Sequence, residues 1–111
     1  IEVAALDNHQ IVQLSALIKN VVIANFSEKE YDKVFVKSST GFYKTPEGVP
    51  NGATVSTIKL MLENSCPLPV KAAGGVRTYD EAVEMVQLGV KRIGTSAAKA
   101  IANGEISNSD Y

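Results

Sequence analysis

Residues 69–81 read Pro69-Val70-Lys71-Ala72-Ala73-Gly74-Gly75-Val76-Arg77-Thr78-Tyr79-Asp80-Glu81. An apolar run carrying one lysine is stopped by two glycines. Thr78 then stands three residues before Glu81, so the stretch predicts a strand, a tight turn and a helix opened by a capping box. The helix would bury Ala82, Val83 and Val86 and stop at Gly89. The same unit recurs on both sides. Downstream, Arg92-Ile93-Gly94-Thr95 predicts a short strand and Ser96 a cap for a helix over 97–103, with Gly104 at its end. The polar residues 105–111 are expected to form a mobile tail. Upstream, a helix from about Thr54 carries Val55, Ile58 and Met61 or Leu62 on one face and stops before Pro67. Before it, Val34-Phe35-Val36-Lys37 reads as a buried strand. Gly41 to Gly52 holds Pro46, Pro50 and Asn51 among its glycines, too many breakers for a regular element, so it predicts a long loop.

The beginning of the chain repeats the pattern once more. Ile1-Glu2-Val3-Ala4-Ala5-Leu6 is expected to be a strand, followed by a helix capped by Asp7 or Asn8 with Ile11, Leu14, Leu17 or Ile18, and Val21 or Val22 on its inner face. Ser27 and Glu30 predict a second, shorter helical turn. Strands and helices alternate without a hairpin signal, and the strands are apolar throughout apart from lysines and a glutamate. This is the pattern of four parallel βα units. A (βα)8 barrel takes about 250 residues, so the expected fold is either an open four-stranded α/β sheet or half of such a barrel. Because the chain opens directly on a strand pattern with no initiator methionine, it is expected to be the C-terminal part of a longer polypeptide.

Composition narrows the partners. The 111 residues are 45% hydrophobic and 21% charged, which suits at most one globular domain. Eleven Lys and Arg face twelve Asp and Glu, so no basic field is available for nucleic acid or an anionic bilayer, and neither is expected as a partner. The apolar runs fall well short of the roughly 20 residues that cross a membrane. Cys66 is the single cysteine, which excludes an internal disulfide and a cysteine-built zinc site and suits a reducing compartment, so a cytoplasmic location is expected.

Lys37 and Lys71 are the residues with most to say about chemistry. Each ends an apolar strand, where an ammonium is expensive to place. Strand parity puts Phe35, Lys37 and Ser39 on one face and Lys71 with Ala73 on one face of the next strand, some 4.8 Å away. Desolvation and a like-charged neighbour both disfavour the ammonium form, and a neutral amine is a nucleophile suited to Schiff-base chemistry. The alternative is that one or both lysines snorkel to the sheet edge. Three glycine-containing turns end successive strands: Ser38-Ser39-Thr40-Gly41, Gly74-Gly75 and Gly94-Thr95-Ser96. Turns of this kind let a phosphate approach the backbone.

Taken in order, Val36-Lys37-Ser38-Ser39-Thr40-Gly41-Phe42, Gly52-Ala53-Thr54, Val70 to Thr78, and Arg92-Ile93-Gly94-Thr95-Ser96 resemble the consecutive motifs of the deoxyribose-phosphate aldolases, class I aldolases on a TIM barrel. The resemblance runs from about Ile1 to Asn103. It implies the C-terminal half of a (βα)8 barrel, with four βα units corresponding to strands five to eight. It also implies cleavage of 2-deoxy-D-ribose 5-phosphate to acetaldehyde and D-glyceraldehyde 3-phosphate, in deoxyribonucleotide catabolism, with no metal or other cofactor. By the same resemblance Lys37 forms the imine and Lys71 tunes it and moves protons. Gly41, Gly74, Gly75, Gly94 and Ser96 match the family's phosphate-binding positions, and the terminal Tyr111 matches a tail tyrosine that helps move the enamine proton in some members. Two features depart from the pattern: the loop Tyr43 to Asn51 is longer than the glycine-rich connection of many bacterial members, and Ala97 stands where some have a second serine. The family's catalytic aspartate lies on an earlier strand and is not among these residues.

Two rivals remain at this stage, another phosphate-binding barrel enzyme and a non-catalytic half-barrel that self-associates through its open strand edges. A missing N-terminal half-barrel or a homo-oligomer is the expected partner. His9 reads as a capping or solvent-facing residue, and Cys66 has no histidine beside it to make a nucleophile. Glu2 could face the interior as a charge partner or proton relay, and Phe42, Tyr43 and Lys44 could line the mouth of the site. The 111-residue chain by itself is expected to bind phosphate weakly and to show no measurable aldolase activity, because a lost general acid/base costs about 10²–10⁴ in rate. Retro-aldol turnover of deoxyribose 5-phosphate above a Lys37→Ala control, by mass-verified material, is the contrary result.

Overall fold

A computed structural model of the chain describes residues 1–104. Its helices start where short polar side chains can satisfy the free N–H groups of the first turn. Asp7 caps α1 (Asn8–Asn25), accepting from Gln10 N at 2.8 Å while Gln10 Oε1 accepts the Asp7 N–H at 3.0 Å. Thr54 caps α2 (Val55–Ser65) and Thr78 caps α3 (Tyr79–Leu88) with the same reciprocal bonding to the third helical residue. Gly89, at φ 117°, closes α3 in the left-handed conformation. Ser27 and Glu30 cap a 3₁₀ segment, Glu28–Lys33. The two Ser27 hydrogen bonds hold the Glu30 carboxyl below its usual range.

Three parallel strands form the sheet: β1 (Val36–Lys37), β2 (Val70–Ala73) and β3 (Arg92–Gly94), in the order β1-β2-β3. The register pairs Lys37 with Lys71, Lys71 with Arg92, and Ala73 with Gly94. Val36, Val70 and Ala72 point to the helical side, where they join one core with Ile11 and Val22 of α1, Ile58 and Met61 of α2, and Ala82 and Met85 of α3. Alternation along a strand then sends Lys37 and Lys71 to the opposite face.

Three expectations need correction. Ile1 to Leu6 is not a strand, so the described residues hold three strands and not four; Val3–Ala5 is a 3₁₀ turn. The segment does lie against β1, for the Ile1 amine donates to Lys37 O at 2.8 Å and Val3 N to Ser38 O at 3.1 Å. Two residues on one side thus advance only one on the other, which no parallel ladder allows, and the chain turns back on itself through Ala5 N to Glu2 O. Ser96 does not cap the last helix. That helix, α4, is only Ala98–Ala102; its N-cap is Ala97, whose N–H is taken by Thr95 Oγ1 at 2.9 Å, a hydroxyl turn that competes with the cap. In α3 the inner face is Ala82 and Met85, and Val86 is 59% exposed, because the helix turns the Met85 side of Ala82 toward the core and leaves the Val86 side in solvent. In α1 the open choices resolve to the inner pair Ile18 and Val22, with Leu17 and Val21 exposed.

Gly41 to Gly52 contains no helix or strand. Its far end is locked onto the turn after β2. Ala53 N–H is shared between Ala73 O at 3.0 Å and Gly74 O at 2.8 Å, and a Cβ on Gly52 would sit 2.6 Å from Gly74 Cα and closer still to the Ala73 carbonyl oxygen. Only backbone fits there, and no flexible side chain is available to give way. Gly52→Ala is therefore expected to destabilise the protein by about 1–3 kcal/mol or more, read as a lower urea midpoint with an unchanged slope. Gly48→Ala, at an open position with φ 80°, serves as the comparison for a purely conformational effect.

Candidate functional site

The carboxyl ends of the three strands meet on the face away from the helices. Lys37 and Lys71 are direct register partners and both are half-buried. Gly94 supplies the space into which they reach: a Cβ built on it would lie 3.0 Å from Lys71 Cε and 3.7 Å from Lys37 Cε. The two side chains therefore converge on one point above β3, and any side chain at position 94 would stand between them. Arg92 is the other cation beside Lys71, but its guanidinium stacks 4.1 Å from the centre of the Phe35 ring. That interaction holds it at the other end of β1.

Ser38 secures the ends of β1 and β2. It is fully buried, its Oγ donates to Ala73 O at 2.6 Å and accepts the Ala73 N–H at 2.9 Å, and its own N–H donates to Lys71 O at 3.2 Å. One residue thus continues the pairing past the last ladder rung, with both lysines held directly before it. The neighbouring turns are stitched in the same way. Gly41 N donates to Ser39 Oγ at 3.1 Å, and a Cβ on Gly74 would come within 3.1 Å of Ser39 Cβ. Thr95 Oγ1 donates to Val76 O at 2.7 Å, tying the turn after β3 to the turn after β2. Gly41, Gly74 and Gly75 all adopt φ between 85° and 88°, where a side chain would be strained.

Of the residues picked from the sequence, Lys37, Lys71 and Gly94 are brought together, and Gly41, Gly74 and Gly75 lie in the stitched turns. Ser96 is exposed on the approach to α4. Tyr111 lies outside the described residues. Tyr43 and Lys44, with Asn51 and Arg77, line a cavity of about 540 Å³ under the long loop that also reaches Gly41, while Phe42 is 87% exposed. The lysine pair is not part of that cavity. Sequence reasoning named Ser38 and Gly52 within their motifs but gave neither a role of its own. Their signal was faint: a serine at a strand end and a glycine before a helix cap are both common.

Glu2 accepts the Thr40 N–H through Oε1.

With this geometry established, comparison with known proteins bears directly on it. A deoxyribose-phosphate aldolase from Streptococcus pneumoniae is 47% identical over 78 residues, covering 69% of this chain and 33% of the relative. Another from the same species is 40% identical over 94 residues, 84% of this chain and 40% of the relative. The chain is a homologue of deoxyribose-phosphate aldolases. It spans 33–40% of the length of these curated relatives. Among solved structures, an aldolase called QR15 superimposes with a TM-score of 0.66 at 28% identity over 93% of this chain and 40% of its own. A protein from Coccidioides immitis, provisionally assigned as a deoxyribose-phosphate aldolase, gives 0.64 at 30% identity over 92% of this chain and 36% of its own. No family model matches the chain. The parallel strands and these aldolase neighbours fit part of a (βα)8 barrel.

Ser38→Ala leaves the buried Ala73 N–H without its partner and removes one of the two hydrogen bonds to Ala73 O, the other coming from Ala53 N–H, a loss expected to cost about 1–3 kcal/mol. Chemical denaturation reads the stability, and loss of Ala73 amide protection in hydrogen exchange, with remote α1 amides unchanged, reads its location.

Proposed function

We propose that the natural polypeptide carrying this sequence is a Schiff-base aldolase that cleaves 2-deoxy-D-ribose 5-phosphate to acetaldehyde and D-glyceraldehyde 3-phosphate. The convergence of Lys37 and Lys71 over Gly94 is the observation that carries this reading. The chain would supply the C-terminal half of the barrel, strands five to eight, with the segment beside β1 at the position of the first of these. Cys66 as the sole cysteine favours a cytoplasmic setting.

In this reading the Lys37 amine adds to the aldehyde carbon of the sugar and water leaves, giving an iminium. The iminium draws in the electrons of the bond between the second and third carbons as the proton of the third-carbon hydroxyl is removed. Glyceraldehyde 3-phosphate departs and an enamine stays on Lys37. Protonation of the enamine carbon and addition of water release acetaldehyde and restore the amine. Lys71, reaching the same point as Lys37, is placed to move protons in these steps. The turns holding Gly41, Gly74, Gly75, Gly94 and Ser96 would take the phosphate through backbone N–H groups, and Gly94 also leaves the two amines their room. Tyr111 is proposed, by resemblance alone, as an aid to enamine protonation.

Borohydride reduction in the presence of acetaldehyde is expected to fix an ethyl group on Lys37, found by peptide mapping. Lys71→Leu should lower turnover by about 10²–10⁴ while Lys37 still carries some label. Label on Lys71 with Lys37 unmodified reverses the two roles, and no label on either lysine removes the imine mechanism.

A further inference from the structure

The long loop is fastened at three places, so the space beneath it is preformed. At its start Gly41 N donates to Ser39 Oγ, and past its end the Ala53 N–H is held by the carbonyls of Ala73 and Gly74. Between them the tip closes on itself. Val49 N donates to Pro46 O at 3.1 Å across a turn with Gly48 at φ 80°, and Thr45 Oγ1 donates to Val49 O at 2.9 Å. The cavity of about 540 Å³ beneath the loop falls within the roughly 300–1,000 Å³ of small-molecule sites. It opens beside Gly41, and a smaller one of about 340 Å³, which shares Gly48, Asn51 and Arg77 with it, opens beside Gly75. Space therefore continues outward from the glycine turns. A single phosphoryl group, a few waters in volume, does not fill it. Two cations from separate segments line the larger cavity, Lys44 of the loop and Arg77 of the turn after β2, and among the described residues one carboxylate, Glu47, joins them. At the smaller cavity the Glu81 carboxylate is already engaged by the Arg77 and Thr78 N–H groups.

We propose that the cavity under the long loop takes the second phosphoryl group of a diphosphate ligand whose first phosphoryl group lies on the glycine turns, with Lys44 and Arg77 supplying its positive charge. This rests on the reading of those turns as a phosphate site and not on the imine chemistry of the lysine pair, which lies outside the cavity. With a formal charge of −1 the chain has no broad basic field, so an anion is drawn by cations close at hand. The two cations suit the task differently. A guanidinium presents a planar fork of donors to phosphate oxygens, while the ammonium of a flexible lysine acts as a point charge. A monophosphate on the turns leaves this space to water, whereas a diphosphate reaches into it and gains charge-assisted hydrogen bonds that the smaller anion lacks. The long loop thereby gives the site a preference for linked phosphoryl groups.

The test is calorimetric titration of the natural polypeptide with inorganic phosphate and with pyrophosphate, in chelator so that no metal complex binds instead. The parent protein is expected to bind pyrophosphate about tenfold more tightly than phosphate, the gain from one charge-assisted hydrogen bond. Lys44→Ala should remove most of that preference and leave phosphate binding unchanged, and Glu47→Gln, which takes away the opposing charge, should strengthen pyrophosphate alone. Lys59→Ala makes the same change in net charge on the exposed side of α2, away from the cavity, and should alter neither. No preference in the parent, or a preference that survives in Lys44→Ala, overturns the proposal. Equal loss of both probes in Lys44→Ala overturns it too, because Lys44 would then belong to the first phosphate. An equal loss in Lys59→Ala does the same, by showing that net charge alone sets the preference. Borohydride trapping at Lys37 separates this from the aldolase reading. A preference that depends on Lys44 without any trapping sinks the aldolase reading and keeps the cavity's role, and trapping without the preference does the reverse.

Discussion

The exchange of hydrogen bonds between the Ser38 hydroxyl and the Ala73 peptide is the contact on which the rest of the site depends. Parallel strands as short as β1 and β2 have few ladder bonds of their own. A buried hydroxyl that donates to the C=O and accepts from the N–H of one residue adds a rung just where the ladder would fray. Everything chemical sits within two residues of that rung: Lys37 before Ser38, Ser39 after it, Lys71 two before Ala73, and Gly74 beyond.

Close backbone approach is the second constraint, and it explains the glycines better than flexibility does. At Gly52 and Gly74 two main chains touch, so side chains are excluded by volume and, at Gly74, by φ as well. This contact fastens the long loop between β1 and α2 at its far end. At Gly94 the reason is different, because the missing side chain is what allows two lysine stems from separate strands to meet. Three glycines near one another thus do three jobs: Gly52 admits backbone, Gly74 turns the chain, and Gly94 makes room for amines.

Charge is arranged with equal economy. Three cations occupy neighbouring register positions, Lys37, Lys71 and Arg92. Like charges side by side repel, and stacking on Phe35 holds the arginine head at the other end of the sheet. The two lysines remain together, and across the edge of β1 the Glu2 carboxylate accepts the Thr40 N–H.

The order of the elements, the capping residues Asp7, Ser27, Thr54 and Thr78, the strand parity of Lys37 and Lys71, and the glycine turns were all legible in the chain, because each is written within four or five residues. The same locality explains the errors. Ile1 to Leu6 has a strand's composition, but whether it joins a ladder depends on keeping step with β1, which it does not. Ser96 looked like a cap, yet Thr95 one residue earlier won the Ala97 N–H. The choice of Met85 over Val86, and of Ile18 and Val22 over Leu17 and Val21, required knowing where the neighbouring helices lie. What made a site of these parts was decided only by tertiary structure: Ser38 reaching Ala73 across 35 residues, Glu2 reaching Thr40 across 38, and two lysines meeting over Gly94. Propensity and capping act through bonds a turn apart, whereas these contacts exist only once burial of Val36, Val70 and Ala72 has set the strands in register.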